Sequence, residues 1–136
     1  MAKVFTAPFA QAPKTAVATV TAACATFTGT SPTNTVLLFT AGAEGAVLTR
    51  LSALPLATCT ASCLMLFLSK DTGTTKYLID SEVMAATTVN TTTVIPEVVF
   101  GNYAESIPMR LAAGDSLYVG NQVAGNVTFK AEYTEF

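Results

Sequence analysis

Residues 62–80, SCLMLFLSKDTGTTKYLID, carry the strongest pattern of apolar and polar positions in the chain. Successive side chains of an extended segment point to opposite faces. Leu64, Leu66 and Leu68 therefore share one face, and Cys63, Met65 and Phe67 share the other. A strand that is apolar on both faces has to be covered on both. The polar run Lys70-Asp71-Thr72-Gly73-Thr74 is turn chemistry, with Gly73 free to take a positive φ, and residues 76–80 run back as a second strand. The expectation is a hairpin with its own core on one side and a neighbouring subunit on the other, which places Met65 and Phe67 at a subunit interface.

The other segments read as further strands. Residues 126–133 alternate most cleanly: Val127, Phe129, Ala131 and Tyr133 point one way, Thr128, Lys130 and Glu132 the other. One face of this strand should be buried and the other wet. Residues 35–40 and 46–54 are apolar strands joined by the glycine-bracketed turn 41–45, and Pro55 ends or kinks the second. Residues 109–111 lead into a turn at 113–115, and 116–120 form another strand. The Thr/Ala/Val segment 14–27 has two readings. Its alanines favour a helix, while the interspersed Thr and Val, with no capping box and no charged face, favour a strand, which is preferred. Residues 29–34 are a turn, 82–86 a short helical turn or bend, 87–94 a polar β-branched run, and 96–108 irregular, with Tyr103 as an exposed loop aromatic. Residues 1–13 read as an extended arm in which Phe5 and Phe9 sit among the prolines Pro8 and Pro13. Roughly eight short strands with regular turn signals predict an all-β fold, an antiparallel β-sandwich of jelly-roll-like type. A single domain, 14–136, follows the N-terminal arm.

Composition sharpens this picture. Of 136 residues, 51% are hydrophobic and 12% charged, with a net charge of −2. The charged share is about half of what soluble domains carry, which points to large contacts with other proteins. The seven basic residues are scattered and form no footprint for phosphates, so no direct nucleic-acid binding is expected. Residues 15–43 carry no charge but contain no run of apolar residues long enough to span a bilayer, and no secretory leader is expected from the start of the chain. The reading is a protein without membrane partners.

The chain has no His, which removes His-activated nucleophiles and the His-based zinc motifs. Asp71-Thr72-Gly73 spells the aspartic-protease tripeptide but opens a polar Thr-rich turn where that chemistry would need an apolar strand end. Cys59 and Cys63 have the look of half a metal site, yet with Cys24 there are only three cysteines and no imidazole. Asn90 and Asn126 open sequons that a Thr-rich chain produces by chance, residues 42–45 lack the ending of a phosphate loop, and Asp80, Glu82, Glu97 and Glu105 match no metal loop. No catalytic residue, metal or cofactor is expected. Three cysteines cannot all pair within one subunit, so no intradomain disulfide framework is expected. Cys63 should pack as a small apolar side chain. Cys24 and Cys59 are either inert thiols or a candidate intersubunit disulfide in an oxidising medium.

Four segments, AKVFTAPFAQAPKTA, TNTVLLFTAGAEGAVLTRL, LFLSKDTGTTKYLID and PMRLAAGDSLYVG, together resemble small virion structural proteins of tailed bacteriophages, of the capsid decoration or cement type. The resemblance runs from about residue 2 to residue 120 and concerns strands and turns, not catalytic motifs. It implies a β-sandwich, often trimeric, made in the host cytoplasm and bound to the outer surface of the phage head, where it ties major capsid protein subunits together. A homotrimer is expected, with the arm, through Lys3, Phe5 and Phe9, as the candidate capsid contact. Related small phage proteins in tails or at head-fibre bases make a receptor- or glycan-binding module the alternative; Tyr103 is the loop aromatic that fits it.

Overall fold

The computed structural model describes residues 12–136. Lys3, Phe5 and Phe9 lie outside the described residues. Nine strands follow one another among the described residues: β1 (Ala12–Val20), β2 (Val36–Thr40), β3 (Ala46–Pro55), β4 (Ser62–Ser69), β5 (Tyr77–Met84), β6 (Val98–Val99), β7 (Met109–Leu111), β8 (Ser116–Asn121) and β9 (Val127–Glu135). No helix occurs among the described residues. The first sheet has the order β1-β9-β3-β6, with β7 also on β3, and the second has the order β2-β8-β4-β5. Every strand pairing is antiparallel. The chain is an all-β sandwich, as its alternation predicts.

The pairing is nested. β1 pairs with β9, β2 with β8, β3 with β6 and β7, and β4 with β5, so the chain lies in the sandwich as one long hairpin folded over on itself. Ala12 and Pro13, read from sequence as the end of the arm, are the first residues of β1, opposite Glu135 and Thr134. A proline is tolerated there because β1 is an edge strand. The same segment ends as a strand at Val20, so residues 14–27 are neither a helix nor one continuous strand. Residues 82–84, expected as a bend, complete β5. Asp80 and Glu82 obscure its strand character, and inward-facing acids are one way an edge strand is kept from pairing with strangers.

The inner faces meet as the sequence pattern requires. Leu48, Leu51, Phe129 and Ala131 from the first sheet pack against Leu64, Leu66, Leu117 and Val119 from the second, closed at one end by Phe100. Full burial of each large apolar side chain is worth roughly 1.5–3 kcal/mol before ordering costs. Phe39 of β2 stacks on Tyr133 of β9 with ring centroids 3.8 Å apart, which ties the two sheets together at one edge.

The same edge is fastened by charge. Glu135 pairs with Lys14 and accepts a hydrogen bond from the Gly42 backbone N–H. Lys14 first, and Gly42 with it, hold the Glu135 carboxyl below its ordinary value of 4.5. A depressed carboxyl stabilises the fold above the unfolded value, and that contribution is lost as pH falls through the folded one. Glu135→Gln should therefore lower the thermal midpoint near neutral pH, and its deficit relative to wild type should close as the pH drops below the carboxylate range. Thermal melts of both proteins across that range check this; a constant offset at every pH would contradict it.

Candidate interaction surface

The second apolar face of β4 finds its cover within the same chain. The connection between β1 and β2, residues 21–35, folds over the outer face of the second sheet. Cys24 and Phe27 from that connection pack with Met65, Phe67, Cys63 and Tyr118. The cover is held by backbone as much as by side chains. Cys24 N–H donates to the Asn121 carbonyl at 2.7 Å, Thr33 N–H to the Ala25 carbonyl at 3.1 Å, and Lys76 N–H to the Thr30 carbonyl at 3.0 Å. Asn34 donates its side-chain amide to the Ala23 carbonyl at 2.8 Å. Gly120 of β8 makes the close approach possible, since a Cβ there would stand 3.2 Å from the Cys24 Cβ. Met65 and Phe67 are thus buried by their own chain, at 1% and 0% exposure, and the placement of a subunit interface on them is corrected. The apolar pattern of β4 does require a second cover. It did not say that the cover comes from the residues before β2.

The cover stops short of the sheet edge. In β5, Val83 lies opposite Cys63, Ser81 opposite Met65 and Leu78 opposite Phe67, so these residues share the outer face with the covered cluster. A register shift between Leu66 and Phe67 leaves Ile79 as the extra residue of β5. Val83 is 73% exposed, and Tyr77, Leu78 and Ile79 are exposed as well. Leu78 and Val83, on either side of Ser81, and the bulged Ile79 form an apolar ledge along one edge strand, while Tyr77, opposite Leu68, points to the other face. Sequence reasoning passed over it because Asp80, Ser81 and Glu82 interrupt the run.

The polar residues of β5 are occupied. Asp80 accepts hydrogen bonds from the Asn102 side-chain amide at 3.2 and 3.3 Å and from its neighbour's backbone, Ser81 N–H, at 2.8 Å. Tyr103 also reaches this carboxylate; burial first, then Asp80, push its hydroxyl far above the ordinary tyrosine value. Tyr103 is half-buried against the core, so it is not the exposed loop aromatic expected from sequence.

The remaining candidates resolve as structure. Asp71 caps the β4–β5 turn: its carboxylate accepts from Thr75 N–H at 2.8 Å and from the Ser69 hydroxyl at 3.0 Å, while Gly73 takes the positive φ of 96° that the turn needs. That is the hairpin tip expected of the Asp-Thr-Gly sequence. All three cysteines are free thiols. Cys24 is sealed beneath the cover, and burial pushes its thiol up, so it is out of reach of a thiol on another subunit. The candidate intersubunit disulfide is corrected for Cys24. Cys59 is half-buried, and its backbone exchanges two hydrogen bonds with Thr87, at 2.9 and 3.0 Å. Among the described residues no group of three metal-ligating side chains comes together.

Fold and surface together define the class: an all-β sandwich whose most distinct exposed feature is an apolar edge ledge. No family model matches the chain, and no curated protein matches it. Among solved structures it is similar to a chain from the structure of infectious bursal disease virus, Gt strain, at 13% identity, over 98% of this chain and 40% of that one, with a TM-score of 0.23. A superposition that loose carries no argument about fold or role.

Proposed function

We propose that this protein is a structural component of a virus particle, a capsid decoration protein that binds the outer surface of a bacteriophage head and stabilises contacts between major capsid subunits. The observation that carries the reading is the ledge of Leu78, Ile79 and Val83 on β5, left in water by a chain with few charges. An exposed apolar row of this kind marks a surface reserved for another protein. The nested strand pairing supports a jelly-roll-like reading of the sandwich, an architecture that viral shells use. The resemblance of the strand and turn segments to phage decoration proteins points the same way. A homotrimer on the head, with the major capsid protein as partner, is part of the same proposal.

Imaging of purified particles at near-atomic detail tests it. The proposal expects density for this chain on the outside of the head, with the β5 ledge against a neighbouring subunit. Density in the tail or a fibre would overturn it. The receptor-binding alternative is weakened in its one aromatic candidate, since Tyr103 is half-buried against the core with its hydroxyl turned to Asp80.

A further inference from the structure

We propose that Asp80 is a guard on β5: its carboxylate occupies the Ser81 N–H, a donor that the β5 of a second copy would need, and so keeps two chains from pairing edge to edge. β5 ends the order β2-β8-β4-β5, and among the described residues no strand pairs with its other side. A row of unpaired backbone groups on such a strand is a template for another chain. Which groups of β5 face the free side follows from β4. Gln122 N–H donates to the Cys63 carbonyl at 3.0 Å, so Cys63 and Met65 aim their backbone groups at β8. Backbone bonds of an antiparallel strand alternate from side to side. Leu64 and Leu66 therefore bond to Glu82 and Asp80 opposite them, while Ser81 and Val83 turn N–H and C=O to the free side.

These two free-side donors fare differently. Beside Val83, a shallow groove of about 270 Å³ between β5 and β6, lined also by Pro96 and Val98, leaves the edge open. Ser81 N–H instead donates to the Asp80 carboxylate at 2.8 Å. The Asn102 side-chain amide fixes the same carboxylate through both oxygens, and Tyr103 reaches it as well. A strand entering along Val83 meets this group at the next free-side donor and can lengthen the ladder only by displacing it. Charge works in the same direction. In the two-fold pairing that sets Ser81 opposite its own copy, Asp80 lies opposite Glu82 of the partner subunit. Like charges directly opposite each other destabilise a strand pair. The ledge of Leu78, Ile79 and Val83 stays available to another protein through side chains, and the guard is independent of any role in a virus particle.

Amide hydrogen exchange on the full wild-type chain compares the two donors. Corrected for intrinsic rates, Ser81 should exchange at least about tenfold more slowly than Val83, the factor that one bond to a charged group supplies. In Asp80→Ala, Ser81 should exchange at the Val83 rate in dilute solution, and sedimentation should show association beyond the wild-type state as concentration rises. Adding Ser81→Pro to that variant removes the free-side donor without touching a bond to β4, at a position where an edge strand tolerates proline, and should restore the wild-type state. Three results would overturn the proposal. The first is Ser81 exchanging as fast as Val83 in the wild type, a result that needs no variant to fold. The second is Asp80→Ala keeping the wild-type state at every concentration. The third is association that persists with Ser81→Pro, which would put the contact on the ledge side chains.

Discussion

Phe67→Ala should cost about 3–5 kcal/mol of stability, and the loss should be the same at low and high protein concentration. Phe67 is fully buried, in a cluster built by the β1–β2 connection and not by another molecule. Removing its ring leaves a cavity between β4 and the Cys24–Phe27 segment, and backbone bonds such as Cys24 N–H to Asn121 restrain that segment from collapsing into the gap. A loss of this size takes a large part of the 5–15 kcal/mol that keeps a domain folded. Denaturant titration at two concentrations separates the possibilities. If the destabilisation grew on dilution, Phe67 would be serving an interface between subunits.

Gly45→Ala should be the most damaging glycine substitution in the turns. Gly45 has a φ of 87°, and a Cβ there would stand 2.6 Å from the Leu111 carbonyl oxygen. The left-handed conformation alone costs a side chain roughly 1–2 kcal/mol. The clash adds to this because its partner is backbone of β7, itself paired to β3. A flexible side chain would swing aside; a strand carbonyl cannot. Gly101→Ala is the control, since nothing lies within 4 Å of a Cβ at that position. The thermal midpoint should fall clearly for Gly45→Ala and hold for Gly101→Ala. Equal effects would mean that composition, not geometry, decides.

Strands whose faces differ in polarity were legible from sequence. Val127, Phe129, Ala131 and Tyr133 alternate with Thr128, Lys130 and Glu132, and β9 buries Val127, Phe129 and Ala131 fully and Tyr133 partly while leaving the second set partly or fully wet, because a period of two keeps each set on one face. The hairpin around Asp71 and Gly73 was legible for a similar reason: its turn residues dictate local conformation. Three things were not. The cover over Met65 and Phe67 comes from a Thr/Ala/Gly segment with no periodicity, whose position depends on single backbone bonds to Asn121 and on Cys24 fitting beside Gly120. The ledge on β5 was hidden because Asp80 and Glu82 break the apolar run, although they point to the opposite face from Leu78 and Val83. β6 is two residues long, and its existence rests on Val98 and Val99 meeting Ala53 and Ser52, a long-range fact that no local window contains.

The place of β9 between β1 and β3 has a consequence for how the protein is made. Among the described residues β1 pairs with β9 alone, and β9 begins about a hundred residues after β1 ends. A ribosome adding about 5–20 residues per second needs roughly 5–20 s to cover that interval. Throughout it β1 has emerged with nothing to pair with, while the β4–β5 hairpin already has both halves. The nascent chain therefore holds one sheet open until β9 leaves the exit tunnel, and the sandwich closes only once synthesis has passed residue 135.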